Sequence, residues 1–103
     1  MHSATFPTTL TRLVPKKVIK PVIFLCMAPH ARQVYLVGDF NNWEPTSLPM
    51  VRQPDGGWRL EVHMGHGHHQ YLFSVDGVHT LDPHAQGVAR NKKGERVSLV
   101  PVS

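Results

Sequence analysis

The chain has 103 residues, a formal net charge of +4 and a single cysteine. This length allows one domain, and one cysteine excludes an internal disulfide or a zinc site built from several thiolates. Nine prolines and eight glycines separate short apolar runs, none of which keeps a helical period over three turns, so the composition predicts an all-β protein.

The beginning of the chain differs from the rest in composition. Residues 1–19 contain threonines, prolines and the basic pair Lys16-Lys17, with little to bury, so we predict a flexible or loosely docked leader over 1–19 and a domain over 20–103. The start lacks the regions of a secretory signal, and no apolar run is long enough to cross a bilayer. We therefore expect a cytoplasmic protein that does not bind a membrane.

Basic residues concentrate in two stretches, Arg12 to Lys20 and Arg90 to Arg96. Neither stretch has interleaved aromatic residues or a recognisable nucleic-acid motif. Solvated basic segments are therefore the favoured interpretation, and no nucleic-acid partner is expected.

The first predicted strand runs from Val22 to Met27 and is opened by Pro21. Cys26 lies inside this apolar run and is interpreted as a small core residue rather than a nucleophile. A turn over 28–31 leads to a second predicted strand over 33–37, and we expect these two strands to form a hairpin.

The second strand ends in a corner with the sequence Gly-Asp-Phe-Asn-Asn-Trp-Glu-Pro, residues 38–45. Asp and Asn suit such a corner because their short side chains bond the local backbone and tolerate left-handed dihedral angles, and Pro45 cannot continue a strand. The corner delivers Trp43 beside two amides. A flat indole in that setting suits a sugar ring, and it would also suit a buried corner.

The middle of the chain alternates in the manner of half-buried strands. An edge-like segment over 50–52 and a turn over 53–57 precede a predicted strand from Trp58 to Met64, in which Trp58 is expected to pack in or beside the core. A further strand is predicted over 70–75.

The last part of the chain starts at Asp76-Gly77, a two-residue hairpin signal. After this turn the chain is predicted to return as a strand over 78–81. We expect a polar, basic loop over 84–94 and a last strand over 97–102. Short strands separated by tight turns at this spacing are typical of a β-sandwich.

Four ordered segments resemble the family 48 carbohydrate-binding modules, which include the glycogen-binding domain of the AMP-activated kinase β-subunit and the N-terminal domains of isoamylases and glycogen-branching enzymes. The matching segments are Val34 to Trp43, Asp55 to Trp58, His69 to Gly77, and Asp82-Pro83. The resemblance implies an immunoglobulin-like, early-set antiparallel β-sandwich. It also implies a non-catalytic module whose partner is an α-glucan polysaccharide, such as glycogen or starch, or a maltooligosaccharide.

The family's sugar-contacting positions transfer in part. The tryptophan that stacks on a glucose ring in such domains corresponds to Trp43, with Asn42 beside it. His79 stands where a second aromatic residue commonly follows the Val-Asp-Gly turn, and Leu72 stands where a lysine is frequent. Asn91 is a candidate substitute for contacts near the C-terminus.

These replacements predict weaker sugar binding, by roughly ten- to a thousandfold, because each lost contact is worth about 1 kcal/mol. The alternative is a sandwich that has lost sugar binding and serves as a protein-interaction or self-association module. Such a module would be a homodimer or an accessory to a glycogen-metabolising enzyme, and its apolar patch would include Leu72 on an outer face.

Other chemistry-bearing residues carry no catalytic pattern. His63, His66, His68 and His69 could bind a metal ion, but no carboxylate or thiolate accompanies them in the turn, and solvated histidines are favoured. Four aspartates lie in turn signals, where bonds to the nearby backbone explain them: Asp39, Asp55, Asp76 and Asp82. We therefore expect no enzymatic activity, no cofactor and no metal site.

Overall fold

The computed structural model describes residues 19–103, so all but the last residue of the leader predicted over 1–19 lies outside the described residues. The described chain forms eight β-strands and one short 3₁₀ turn, Asp39–Asn41. The strands are β1 (Lys20–Met27), β2 (Val34–Gly38), β3 (Val51–Arg52), β4 (Gly57–Met64), β5 (Gly67–Val75), β6 (Val78–Thr80), β7 (Gly87–Arg90) and β8 (Arg96–Val102).

The strands form two antiparallel sheets. One sheet has three strands in the order β1-β4-β3, and the other has five, in the order β2-β5-β8-β7 with β6 also paired to β5. Because β6 pairs with the same residues of β5 as β2 does, β6 must occupy the opposite edge of β5, which it shares with β8. The predicted antiparallel β-sandwich is confirmed.

The core lies between the two sheets and takes residues from both. Phe24 of β1 and Tyr71 of β5 meet edge to face, with ring centroids 4.9 Å apart. Trp58 is 4% exposed and its indole N–H donates to the carbonyl of Ala28 at 3.0 Å. Cys26 is also buried in the core, so both predictions of core packing are confirmed.

The predicted hairpin between the first two strands is wrong. β1 pairs with β4 along its whole length and β2 pairs with β5, so the connection over 28–33 crosses from one sheet to the other. Buried Ala31 and the bond from Trp58 to Ala28 hold this crossing in place. A turn signal shows where a chain bends, but the pairing of the next strand depends on distant segments.

The predicted loop over 84–94 is also wrong, because it contains β7, which pairs with β8 from Gly87↔Leu99 to Arg90↔Arg96. β7 is an edge strand of only four residues, Gly-Val-Ala-Arg, in which half-buried and exposed residues alternate, so it gives a weak strand signal. In addition, β5 begins at Gly67, three residues before the strand predicted over 70–75, so it includes His68 and His69. No helix within residues 19–103 has the length and apolar character needed to cross a membrane.

Candidate carbohydrate-binding site

The corner after β2 is held by close packing and by internal hydrogen bonds. A Cβ at Gly38 would collide with the ring of Phe40 and lie 2.6 Å from the carbonyl oxygen of Gln70, so this position requires glycine. The side-chain oxygen of Asn41 accepts from Gly38 N at 3.0 Å. The amide of Trp43 then donates to Gly38 O at 2.8 Å, which closes the corner.

Two successive residues at this corner have left-handed backbone angles. Asn42 has φ +56° and Trp43 has φ +57°. The first was expected, since Asn tolerates this region, but a left-handed tryptophan costs about 1–2 kcal/mol. The surrounding contacts must therefore hold Trp43 in this conformation.

The contacts of Trp43 lie on the outer face of the five-stranded sheet. Val37 pairs with Leu72 across β2 and β5, and Ala89 pairs with Val97 across β7 and β8. These side chains form one apolar cluster on which the half-buried Trp43 packs. We call Val37, Leu72 and Val97 the cushion, because each is at most 1% exposed and Trp43 packs against the cluster that they form.

The position of Leu72 corrects two expectations. A side chain that is 1% exposed cannot contact a sugar, and it cannot contribute to an exposed apolar patch. The same strand position that was expected to touch a ligand instead helps to support Trp43. Leu72 therefore belongs to the site as a buried support.

An open groove of about 500 Å³ lies beside Trp43 on this outer face. Three predicted site residues line it together: Trp43, His79 and Asn91. Asn42 is exposed at the corner but does not line the groove. Four lining residues were not predicted: Gln70, Lys92, Lys93 and Glu95.

His79 and Glu95 form the polar end of the groove. They meet because β6 and β8 share one edge of β5, and the distance from His79 Nδ1 to Glu95 Oε2 is 2.9 Å. This hydrogen bond is the main cause that lowers the pKa of Glu95, with smaller contributions from Asn91 and Lys93. Glu95 is therefore an anion at neutral pH.

Asn91 organises the turn between β7 and β8. Its side-chain oxygen accepts from the backbone amides of Lys93 and Glu95, each at 2.9 Å, and its side-chain nitrogen donates to Glu95 Oε1 at 3.3 Å. Gly94 completes the turn with φ +81°. Most of the hydrogen-bonding capacity of Asn91 is thus used in presenting Lys92 and Lys93 to the groove.

The four lining residues that were not predicted differ in how clearly the sequence indicates them. Gln70 alternates with Tyr71 on β5, so the sequence places it on the same face as Leu72. Its side-chain amide has no hydrogen-bond partner among residues 19–103, and it is therefore available to a ligand. Lys92 and Lys93 were hidden because β7, and with it the β7–β8 turn, was assigned to a loop.

The histidine cluster is divided among separate partners. His63 lies 3.1 Å from Glu61, and the ring of His69 bonds Asp39 at 3.2 Å and the carbonyl of Gly65 at 2.8 Å. The two carboxylates that accompany these histidines lie outside the turn, Glu61 in β4 and Asp39 at the corner after β2. No three potential ligands converge on a metal-binding position in the described part of the chain.

The four aspartates are engaged in structural hydrogen bonds. Asp55 and Asp82 accept from backbone amides two residues further on, as expected. Asp76 instead accepts from the amides of Arg32 and Gln33, and Asp39 accepts from Gln70, so these two connect distant segments.

The chain is thus an antiparallel sandwich that presents an indole above an apolar cushion, beside an open polar groove. The family model described as the glycogen recognition site of AMP-activated protein kinase matches residues 22–103. The chain therefore belongs to this family, the family 48 carbohydrate-binding modules.

Its relatives include much longer proteins. The chain is similar to the 1,4-alpha-glucan branching enzyme of Cupriavidus pinatubonensis, with 39% identity over 70 residues, which covers 64% of this chain and 9% of the relative. The branching enzyme of Lactiplantibacillus plantarum is 31% identical over 86 residues, covering 79% of this chain and 13% of the relative. The chain thus spans about a tenth of the length of the curated relatives it matches.

Proposed function

We propose that the chain is a non-catalytic module that binds α-glucans, with Trp43 as the stacking platform. The observation that carries this proposal is the conformation of Trp43. Its backbone is left-handed, its indole packs on the cushion, and it lines the open groove. Strained backbone of this kind costs about 1–3 kcal/mol and persists only where the surrounding structure holds it. Such residues cluster at functional sites.

The chemistry of the groove suits a sugar. A glucose ring has apolar C–H faces that stack on an indole and hydroxyl groups that donate and accept hydrogen bonds. Neither the indole N–H of Trp43 nor the side-chain amide of Gln70 has a hydrogen-bond partner within residues 19–103. A stacked ring and two or three hydrogen bonds give affinities of about 1 mM for a short oligosaccharide. A polysaccharide would be retained more strongly because it offers many sites.

The test is retention in a native gel that contains glycogen, compared with a gel without glucan. We expect Trp43→Ala to lose the retardation, while Arg59→Ala, an exposed change on the three-stranded sheet, should keep it. Circular dichroism and urea unfolding verify that both variants are folded. Unchanged retardation of folded Trp43→Ala would falsify the proposed platform.

A second candidate function, self-association, is favoured by the outer face of the three-stranded sheet. Ile23, Leu25 and Met27 of β1 and Val51 of β3 are exposed there, with Leu25 at 61% and Met27 at 67%. Burying this face against a second copy would remove apolar surface from water. We expect a dimer in sedimentation velocity that dissociates in the variant Leu25→Lys. A wild-type monomer at high protein concentration rules this candidate out.

A further inference from the structure

The basic stretch from Arg90 to Arg96 is not explained by binding of a neutral glucan. In the structure it forms the hairpin between β7 and β8, and its turn brings Lys92 and Lys93 to the groove that Trp43 lines. A neutral sugar can accept a hydrogen bond from an ammonium group, but it brings no charge to compensate two of them. The pair therefore favours a ligand with an anionic group near the stacked ring.

The other charges around the groove leave these two lysines without strong competition. Among residues 19–103, Glu95 is the one anion that lines the groove, and its carboxylate already accepts from His79 and Asn91. Neither Lys92 nor Lys93 forms an ion pair with another residue in the described range 19–103. The net charge of the residues at this end of the groove is thus positive.

The neighbouring arginine is engaged elsewhere. Arg90 Nη1 donates to the carbonyl oxygen of Gly94 at 2.7 Å, inside the hairpin. A lysine ammonium has three rotatable donors on a flexible stem and binds phosphate oxygens as a point charge. Two adjacent lysines on one turn can therefore reach phosphate groups at different positions along a polymer.

We propose that the groove binds α-glucans that carry phosphate esters, with Trp43 stacked on a glucose ring and Lys92 and Lys93 bound to a phosphate on that ring or a neighbouring one. This inference rests on the proposed function. A glucan is favoured over a nucleic acid because the groove contains one indole and a single basic turn, whereas single-stranded nucleic acid needs a series of aromatic platforms along a basic track.

The experiment compares potato amylopectin, which carries phosphate esters, with the same preparation after enzymatic dephosphorylation, each titrated at equal glucose concentration. Lys92→Gln/Lys93→Gln should bind the phosphorylated polymer about three- to tenfold more weakly than wild type, and the dephosphorylated polymer within about twofold, since exposed charge pairs contribute little each. The difference should largely disappear at about 0.5 M salt. The matched control is Lys20→Gln/Arg59→Gln, which removes the same charge from the other sheet and should bind both polymers as wild type does.

A third variant gives an effect of opposite sign. Glu95→Gln removes the anion from the groove while its amide can still accept from His79, so it should bind phosphorylated amylopectin about two- to threefold more tightly. This variant tests the charge argument without shortening the lysine side chains.

The outcomes separate this inference from the proposed function. Equal binding of both polymers, with no effect of the lysine change, overturns the phosphate inference and leaves the glucan site intact. Binding to neither polymer overturns both. If a single-stranded RNA binds with the same lysine dependence and without any effect of Trp43→Ala, the hairpin is a general anion surface and the inference fails.

Discussion

The two tryptophans of this chain, Trp43 and Trp58, are placed in opposite surroundings by the same sandwich. Trp58 lies in the regular strand β4, is 4% exposed, and donates its indole N–H to Ala28 at 3.0 Å. The guanidinium of Arg52 stands 5.3 Å from its ring centroid. Trp43 is half-buried at an irregular corner, in left-handed backbone, and its indole N–H has no partner among residues 19–103.

This difference shows how one residue type can serve the fold or a ligand. At Trp58 both the ring and the N–H are satisfied by protein groups, so nothing remains for a ligand to contact. At Trp43 the side chain packs on the cushion and also lines the groove. Changes at the two positions should therefore separate stability from binding.

The largest effect is expected at Trp58. Trp58→Ala should lower the free energy of unfolding by about 3–5 kcal/mol, because it leaves a large cavity and removes the indole hydrogen bond to the carbonyl of Ala28, which keeps its bond from the amide of Ala31. Trp43→Ala should lower it by only about 1–1.5 kcal/mol, since the ring is half-buried and alanine keeps the left-handed strain of this position. Urea titrations of the two variants measure both values, and equal losses would contradict the division.

The next effect concerns the cushion beneath Trp43. Leu72→Ala should reduce the free energy of unfolding by about 2–3 kcal/mol, at the lower end for buried leucines because the cluster is small. It should also weaken glucan binding, since the indole loses its support. Leu48→Ala, a change in the half-buried margin of the main core, is the control and should affect stability alone. Full glucan affinity in folded Leu72→Ala would show that Trp43 does not depend on the cushion.

Local patterns predicted the elements of this fold better than their pairing. Alternation placed β4 and the core-facing residues of β5, and Asp76-Gly77 has the positive φ angles of the expected hairpin turn, +49° and +86°. The connection between β1 and β2 was assigned wrongly because strand pairing is decided by contacts between distant segments. The edge strand β7 was missed since it has only four residues, two of them the small Gly87 and Ala89, and lies within a longer polar and basic segment.

In the candidate site, too, local motifs predicted some residues, and distant contacts determined the others. Trp43 could be named because a local motif specifies the corner, and His79 because it follows a recognisable turn. The burial of Leu72 could not be predicted, since it depends on how the left-handed corner folds the indole over β5. Lys92 and Lys93 depended on recognising β7, so the missed strand also concealed the charge of the groove.

A buried polar group of the core provides the third prediction. The hydroxyl of Tyr71 donates to Asp82 Oδ2 at 2.6 Å, which makes it the counterpart of the indole N–H of Trp58. Tyr71→Phe should cost about 1–1.5 kcal/mol at neutral pH and leave glucan binding unchanged. Urea unfolding and the glycogen gel measure the two effects, and a loss of binding would contradict the separation of core and site.

The same tyrosine predicts a dependence on alkaline pH. Burial, followed by the hydrogen bond to Asp82 and the charge of that carboxylate, raises the pKa of Tyr71. The folded protein therefore holds this proton more tightly than the unfolded chain, and stability should fall as the pH rises above about 10. Burial also raises the pKa of Cys26, which lowers stability in the same direction from about pH 8.5. The free energy of unfolding is therefore measured against pH for Cys26→Ala and for Cys26→Ala/Tyr71→Phe, and the fall above about pH 10 should be smaller in the double variant.

The smallest effect is expected at Asn42, which precedes Trp43 and shares its left-handed conformation. Because glycine adopts φ near +56° without strain, Asn42→Gly should change the free energy of unfolding by about 0.5 kcal/mol or less, whereas Asn42→Ala should lose about 1 kcal/mol. Asn42 is exposed and does not line the groove, so glycogen binding by Asn42→Gly should stay within about twofold of wild type. A larger loss at unchanged stability would show that the amide of Asn42 contacts the glucan directly, and the binding surface would then extend from the groove onto the corner itself.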